Sequence, residues 1–262
     1  MAKTLNRRKF ISTTSFSAAG VIMGSNLAAG CKSENHSGII PYDLMGDVMK
    51  YRKIDAHCHP EDDPGKQIET ADRLGIGWLQ ISSPVTNFSG TEPEGPDVVR
   101  KNNDDVYKAM KQYPGRFIGF FTLNPRYKKE SLEEIDRCVD LGMAGYKGYT
   151  QVKVNDPLYY PIIEKLTDLK MVVYMHTFCQ LGMGGYRMKY DTGRFPGTTL
   201  PEDMVEAAKR YPEAMFHFAH IGGGGDWEYE CKMLKQCPNI FVDTGGSNNE
   251  ENMIDFAIKL LG

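Results

Sequence analysis

From residue 52 onward, short apolar runs of strand length alternate with longer stretches whose apolar residues recur every three or four positions. Side chains alternate faces along a strand and return every 3.6 residues along a helix, so this pattern predicts repeated strand–helix units around a parallel sheet. Strands are expected at 52–57, 77–83, 116–123, 144–149, 171–176, 215–220 and 239–243, with helices near 66–75, 98–112, 130–141, 158–169, 201–210, 227–236 and 250–261. Leu132, Ile135, Val139 and Leu141 trace one helical stripe; Pro201 with Glu202 marks a helix start, and Gly142 a stop. A chain of 262 residues has the length of one (β/α)8 barrel, yet only about seven βα units are present. An absent eighth unit would leave the first and seventh strands with unpaired edges. The expectation is therefore a fragment, or a barrel whose gap something else fills, with metal weakly held and a tendency to aggregate.

The stretch ahead of this pattern has a different character. Asn6-Arg7-Arg8-Lys9-Phe10-Ile11 is followed by an uncharged, Ser/Thr/Ala/Gly-rich run up to Cys31. Residues 1–30 read as a twin-arginine export signal. A membrane-spanning anchor is the alternative, and Ser12, Thr13, Thr14, Ser15 and Ser17 make it a poor one. Ala28-Ala29-Gly30-Cys31 looks like a lipobox, which makes Cys31 the expected lipidation site; cleavage nearby without lipid is the alternative. Residues 31–50 would be a polar tether and 51–262 the incomplete barrel. The expected location is the periplasm, free or as a membrane-anchored lipoprotein.

Removing the signal changes the charge. Without Lys3, Arg7, Arg8 and Lys9, 27 basic residues face 34 acidic ones, a net charge of −7 that argues against nucleic acid as a partner. Any contact with a membrane would run through the lipid. Cys58, Cys138, Cys179, Cys231 and Cys237 form no CxxC pair, so free thiols are expected.

Candidate chemistry concentrates in histidine. His57 and His59, in Ile54-Asp55-Ala56-His57-Cys58-His59, stand two apart on a strand and project from one face, where both can reach one metal ion. His176 and His220 each close a predicted strand, so four of the six histidines fall on the rim where barrel enzymes build their sites. Asp55 shares the parity of His57 and is expected to support it by hydrogen bonding. His217, three residues before His220, has the opposite parity and is expected to face the helices in a packing role. His36 lies in the tether and carries no expected role.

With Gly145-Tyr146-Lys147-Gly148, Asp156-Pro157-Leu158-Tyr159-Tyr160-Pro161, Met175-His176-Thr177 and Phe218-Ala219-His220-Ile221-Gly222-Gly223, this Asp-x-His-x-His pattern resembles the amidohydrolase-related branch of the amidohydrolase superfamily. The branch comprises metal-dependent hydrolases, lactonases and decarboxylases on a TIM-type barrel. The resemblance implies that His57, His59 and His176 ligate one divalent ion, zinc before manganese or iron, and that His220 is the acid/base residue. The branch's fourth ligand, an Asp ending the eighth strand, has no counterpart here. Asp243 cannot be assumed to replace it and is expected to be a hydrogen-bonded structural residue.

Lys147 is expected to meet an anionic substrate as an ammonium, with a carboxylated lysine bridging two metals as the alternative. Between residues 178 and 200, Tyr186, Arg187 and Arg194 would bind the substrate from a lid, unless that loop is merely solvated. The glycines at 222–225 suggest a flexible turn. The activity expected is hydrolysis of a small amide, ester or lactone by metal-activated water. The alternative is decarboxylation of an unsaturated or aromatic acid, against which export counts mildly. A rival of another class is an inactive metal- or ligand-binding lipoprotein or a gene fragment. Substrate and oligomeric state stay open.

Overall fold

The computed structural model describes residues 43–83, 94–177, 197–221, 227–245 and 252–262. The signal, Cys31, Cys179, Tyr186, Arg187, Arg194 and the 222–225 glycines lie outside the described residues. The chain divides into two units, Met1–Met45 and Gly46–Gly262. The fold described here is that of the second.

Seven strand–helix units follow one another: β1 Lys53–Cys58, α1 Pro64–Arg73, β2 Ile76–Ser82, α2 Pro96–Gln112, β3 Phe117–Phe121, α3 Lys128–Asp140, β4 Gly145–Gly148, α4 Tyr160–Asp168, β5 Val172–Met175, α5 Pro201–Arg210, β6 Met215–Phe218, α6 Trp227–Leu234, β7 Ile240–Val242 and α7 Met253–Leu261. All strands are parallel and pair in chain order from β1 to β7. The expected TIM-type barrel with about seven βα units is the fold observed. Among the described residues β1 and β7 do not pair with each other. Beside that opening, Ile54 on β1 and Phe241 on β7 are 54% and 56% exposed.

The helices form where the apolar stripes predicted them, and their ends have local causes. Asp63 caps α1 by accepting the Gly65 and Lys66 N–H groups, and Pro64 fits the first helical position. The Asp203 carboxylate does the same for α5 by accepting the Leu200 N–H. Gly142 ends α3 with φ +83, a conformation that favours glycine. Between sheet and helices lies one core that includes Ile81, Val106, Phe121, Ile135, Tyr146, Ile162, Val173 and Phe216, all fully buried. A polar knot pins the end of β3 to this layer. Asn103 on α2 accepts the Thr122 N–H and donates to the Thr122 carbonyl and to Glu134, which Arg137 also holds.

The other strand face points into the barrel. There Lys147, Tyr174 and His217 are register partners on β4, β5 and β6 and form one rung across three strands. The rung carries the site. Cys58, Cys138, Cys231 and Cys237 are free thiols, as expected for these four.

Candidate metal and acid/base centre

At the C-terminal ends of the strands the four rim histidines converge, and each ring is tied at Nδ1. His57 Nδ1 faces Asp243 Oδ2 at 3.1 Å, His59 Nδ1 faces the Ser82 carbonyl at 2.8 Å, and His220 Nδ1 faces the Gly245 carbonyl at 3.2 Å. Carbonyls and carboxylates only accept, so these partners assign the proton to Nδ1 in all three rings. His220 Nε2 is then an acceptor, and His176 donates to it from Nδ1 over 2.8 Å. All four imidazoles thus carry the proton on Nδ1 and the lone pair on Nε2. Lys147 approaches the His57 lone pair, Nζ to Nε2 at 3.3 Å.

Burial favours the neutral ring at His59, His176 and His220. It pushes the His59 pKa down and the His176 pKa well below the usual value, and it lowers His220 to about 4, the nearby Lys147 adding to the effect. Neutral imidazole is the form that ligates metal. The donor atoms of His57, His220 and Asp243 lie within 4.8 Å of one another, so the donor set fits a divalent ion. His59 stands beside this group, its ring 5.8 Å from that of His57, and His176 joins it through His220. The expected trio of His57, His59 and His176 therefore shares one rim without forming one tight donor group in the structure.

Asp243 is at the centre rather than at the margin. Its Oδ2 receives the Tyr174 hydroxyl and His57 Nδ1–H, and its Oδ1 receives the backbone N–H groups of His220 at 3.1 Å and Gly245 at 2.7 Å. Burial pushes its carboxyl up, but the neighbouring His217, His57 and the Tyr174 hydroxyl outweigh it and hold the group far below the ordinary carboxylate range. Asp243 is hydrogen-bonded, as expected, but its role is that of a hub that links β7 to β1 across the open side. Gly245 has to be glycine for this. A Cβ there would stand 2.6 Å from His57 Nδ1 and 2.9 Å from Asp243 Oδ1.

His217 does not face the helices. Its ring stacks on Tyr174, 4.0 Å between centroids and 19° between planes, and Nε2 comes within 3.2 Å of Asp243 Oδ2, off the line of a full hydrogen bond. Parity failed because it was counted from His220, which lies beyond the end of β6 and turns into the left-handed region at φ +64. Asp55, across a register shift in β1, accepts the His57 backbone N–H at 3.0 Å and lines a cleft beside α1. Lys147 is fully buried, and desolvation lowers its pKa well below that of a free lysine.

Acid should destabilise the fold through His220. A folded pKa of about 4 against 6.5 means that the unfolded chain takes the proton first, so stability is full above pH 6.5 and is lost as pH falls toward 4. His220 alone should cost the metal-free protein about 3 kcal/mol across that window. Urea unfolding at pH 7, 5.5 and 4.5 should show midpoints falling in that order. A flat profile would mean that the ring is not buried in its neutral form.

The amidohydrolase family profile matches residues 54–256. The chain is 28% identical over 193 residues to 2-amino-3-carboxymuconate-6-semialdehyde decarboxylase of Dictyostelium discoideum, covering 69% of this chain and 53% of that protein. It is 22% identical over 153 residues to γ-resorcylate decarboxylase of Rhizobium sp. (strain MTP-10005), covering 55% of this chain and 45% of the relative. The chain thus spans about half the length of the curated relatives it matches. Among solved structures, 2,6-dihydroxybenzoate decarboxylase from Rhizobium superposes with a TM-score of 0.62 at 16% identity, over 80% of this chain and 84% of that one. Dihydroxybenzoic acid decarboxylase from Polaromonas sp. JS666, which holds manganese and the inhibitor 2-nitroresorcinol, gives 0.60 at 17%, over 80% and 83%. These likenesses to solved structures show the fold. The expectation of hydrolysis is overturned by these two curated relatives, each a decarboxylase.

Proposed function

Because the chain belongs to the amidohydrolase family, we propose that it is a metal-dependent decarboxylase of a small unsaturated or aromatic carboxylic acid. The observation that carries the proposal is the set of four rim imidazoles that all present Nε2, in a chain whose curated relatives are decarboxylases. By the family resemblance His57, His59 and His176 would hold one divalent ion, zinc or manganese, although the tight donor group among the described residues is His57, His220 and Asp243. When bound, such an ion supplies positive charge that steadies the electrons left behind as a carbon–carbon bond breaks.

The chain's own residues do the rest. Lys147, buried so deeply that desolvation lowers its pKa despite the Asp243 charge, gains from an arriving carboxylate and so favours an anionic substrate. As CO2 leaves, the bonding pair stays on the substrate carbon and needs a proton. We assign this step to His220: its ring is neutral at rest, so it takes a proton from solvent in each turnover, and with a pKa lowered to about 4 it then gives that proton up to carbon readily. The Nδ1 bond to Gly245 holds the ring while Nε2 exchanges the proton. Arg187 and Arg194 keep their proposed part as cations for the substrate carboxylate. Export by the twin-arginine route, with a lipid on Cys31, likewise remains a proposal.

The test is to load the purified protein with zinc or manganese and offer it unsaturated and aromatic acids beside esters and lactones. One CO2 released per acid consumed is expected. Turnover of an ester or lactone, with no acid decarboxylated, would overturn the proposal.

A further inference from the structure

Tyr174 is fully buried in the barrel interior and carries a hydroxyl where a packing role alone would be met by phenylalanine. That hydroxyl donates to Asp243 Oδ2, the same oxygen that receives His57 Nδ1–H. The ring itself has no room to turn. Lys147 Nζ lies 3.3 Å from its centroid on the β4 side, and the His217 ring stacks at 4.0 Å on the β6 side. His57 is the residue that gains, because its ring is also in edge contact with Tyr174 at 5.3 Å and has Asp243 as the acceptor for its Nδ1 proton.

We infer that Tyr174 is a positioning residue: by holding Asp243 Oδ2 it keeps the carboxylate against His57 Nδ1 and so fixes the His57 ring with the Nε2 lone pair toward the reaction space. His217 backs the phenol ring, and neither Tyr174, His217 nor Asp243 need touch substrate for this. Two oxygens of one carboxylate meet four good donors, and each donor removed leaves the others freer to drift. A wandering carboxylate would let His57 flip its proton to Nε2, the nitrogen a ligand needs bare. The inference rests on the reading of His57 as part of the reaction centre.

The test is Tyr174→Phe, which removes one oxygen and conserves shape. Nitrogen-15 spectra of the histidine rings in the metal-free protein report the His57 tautomer without reference to any substrate. The wild type should show the proton on Nδ1 alone, and Tyr174→Phe a mixture of both tautomers. In the metal-loaded enzyme, kcat should fall by about tenfold with KM changed less than twofold, the size usual for a partner that orients a ligand. His217→Leu, which removes the ring stacked on the phenol, should likewise give a mixture of both His57 tautomers. If Tyr174→Phe does not fold, 3-fluorotyrosine at position 174 replaces it. As a stronger donor it should shift the His57 Nδ1 proton resonance upfield. An unmoved His57 spectrum would sink the inference even in an active decarboxylase. A changed spectrum in a protein that decarboxylates nothing would sink the functional reading alone.

Discussion

His220→Asn is expected to retain the metal and lose turnover by about 10²-fold or more. Asparagine is the substitution that isolates the chemistry. Residue 220 sits at φ +64, which asparagine tolerates better than other non-glycine residues, so the backbone after β6 should keep its course. Its side-chain amide can still donate toward the Gly245 carbonyl, but it cannot carry a proton to carbon. If His220 were instead a ligand, as its grouping with His57 and Asp243 would allow, the variant would lose metal together with activity. Metal content by elemental analysis, read beside kcat, separates the two. Equal turnover in variant and wild type would remove His220 from the mechanism altogether.

How far the sequence could lead to this site depends on whether each signal is local. The i, i+2 spacing of His57 and His59 and the closing positions of His176 and His220 are properties of single strands, and all four side chains reach the rim. The seven units were legible for the same reason, since each apolar run or stripe is complete in itself. Asp243 was not. Phe241-Val242-Asp243 suggests a hydrogen-bonded carboxylate but not a hub, because its partners His57, Tyr174, His220 and Gly245 come from two strands and two strand ends. Tyr174 was hidden inside an apolar run, where one hydroxyl does not disturb the pattern. His217 shows a different failure: alternation holds only while the backbone is extended, and His220 had already left the strand. Hydrolysis was expected because one rim of metal-binding histidines serves both reactions. Which bond is broken depends on the substrate, and the order of residues along the chain does not encode it.

Asp243→Asn should have the largest combined effect, lowering stability by about 3 kcal/mol or more and activity by at least about 10²-fold. The carboxylate accepts the Tyr174 hydroxyl, His57 Nδ1–H and two backbone N–H groups, and hydrogen bonds to a buried charge are worth about 1.5–3 kcal/mol each. An amide keeps one acceptor oxygen and sets two N–H donors against the remaining groups, so at least one buried donor is left facing another. The same carboxylate joins β7 to β1, which have no backbone pairing among the described residues, so its loss should loosen the side of the barrel that carries His57 and His59. The pH dependence gives the loss a signature. The folded pKa of Asp243 is pushed far below its ordinary value, so its contribution is present above about pH 4 and is lost as pH falls below that. Unfolding measured from pH 7 to pH 3 should therefore show a constant gap between wild type and Asp243→Asn above pH 4 that narrows below it. A gap that persists unchanged to pH 3 would mean that the carboxylate charge is not what holds this site together.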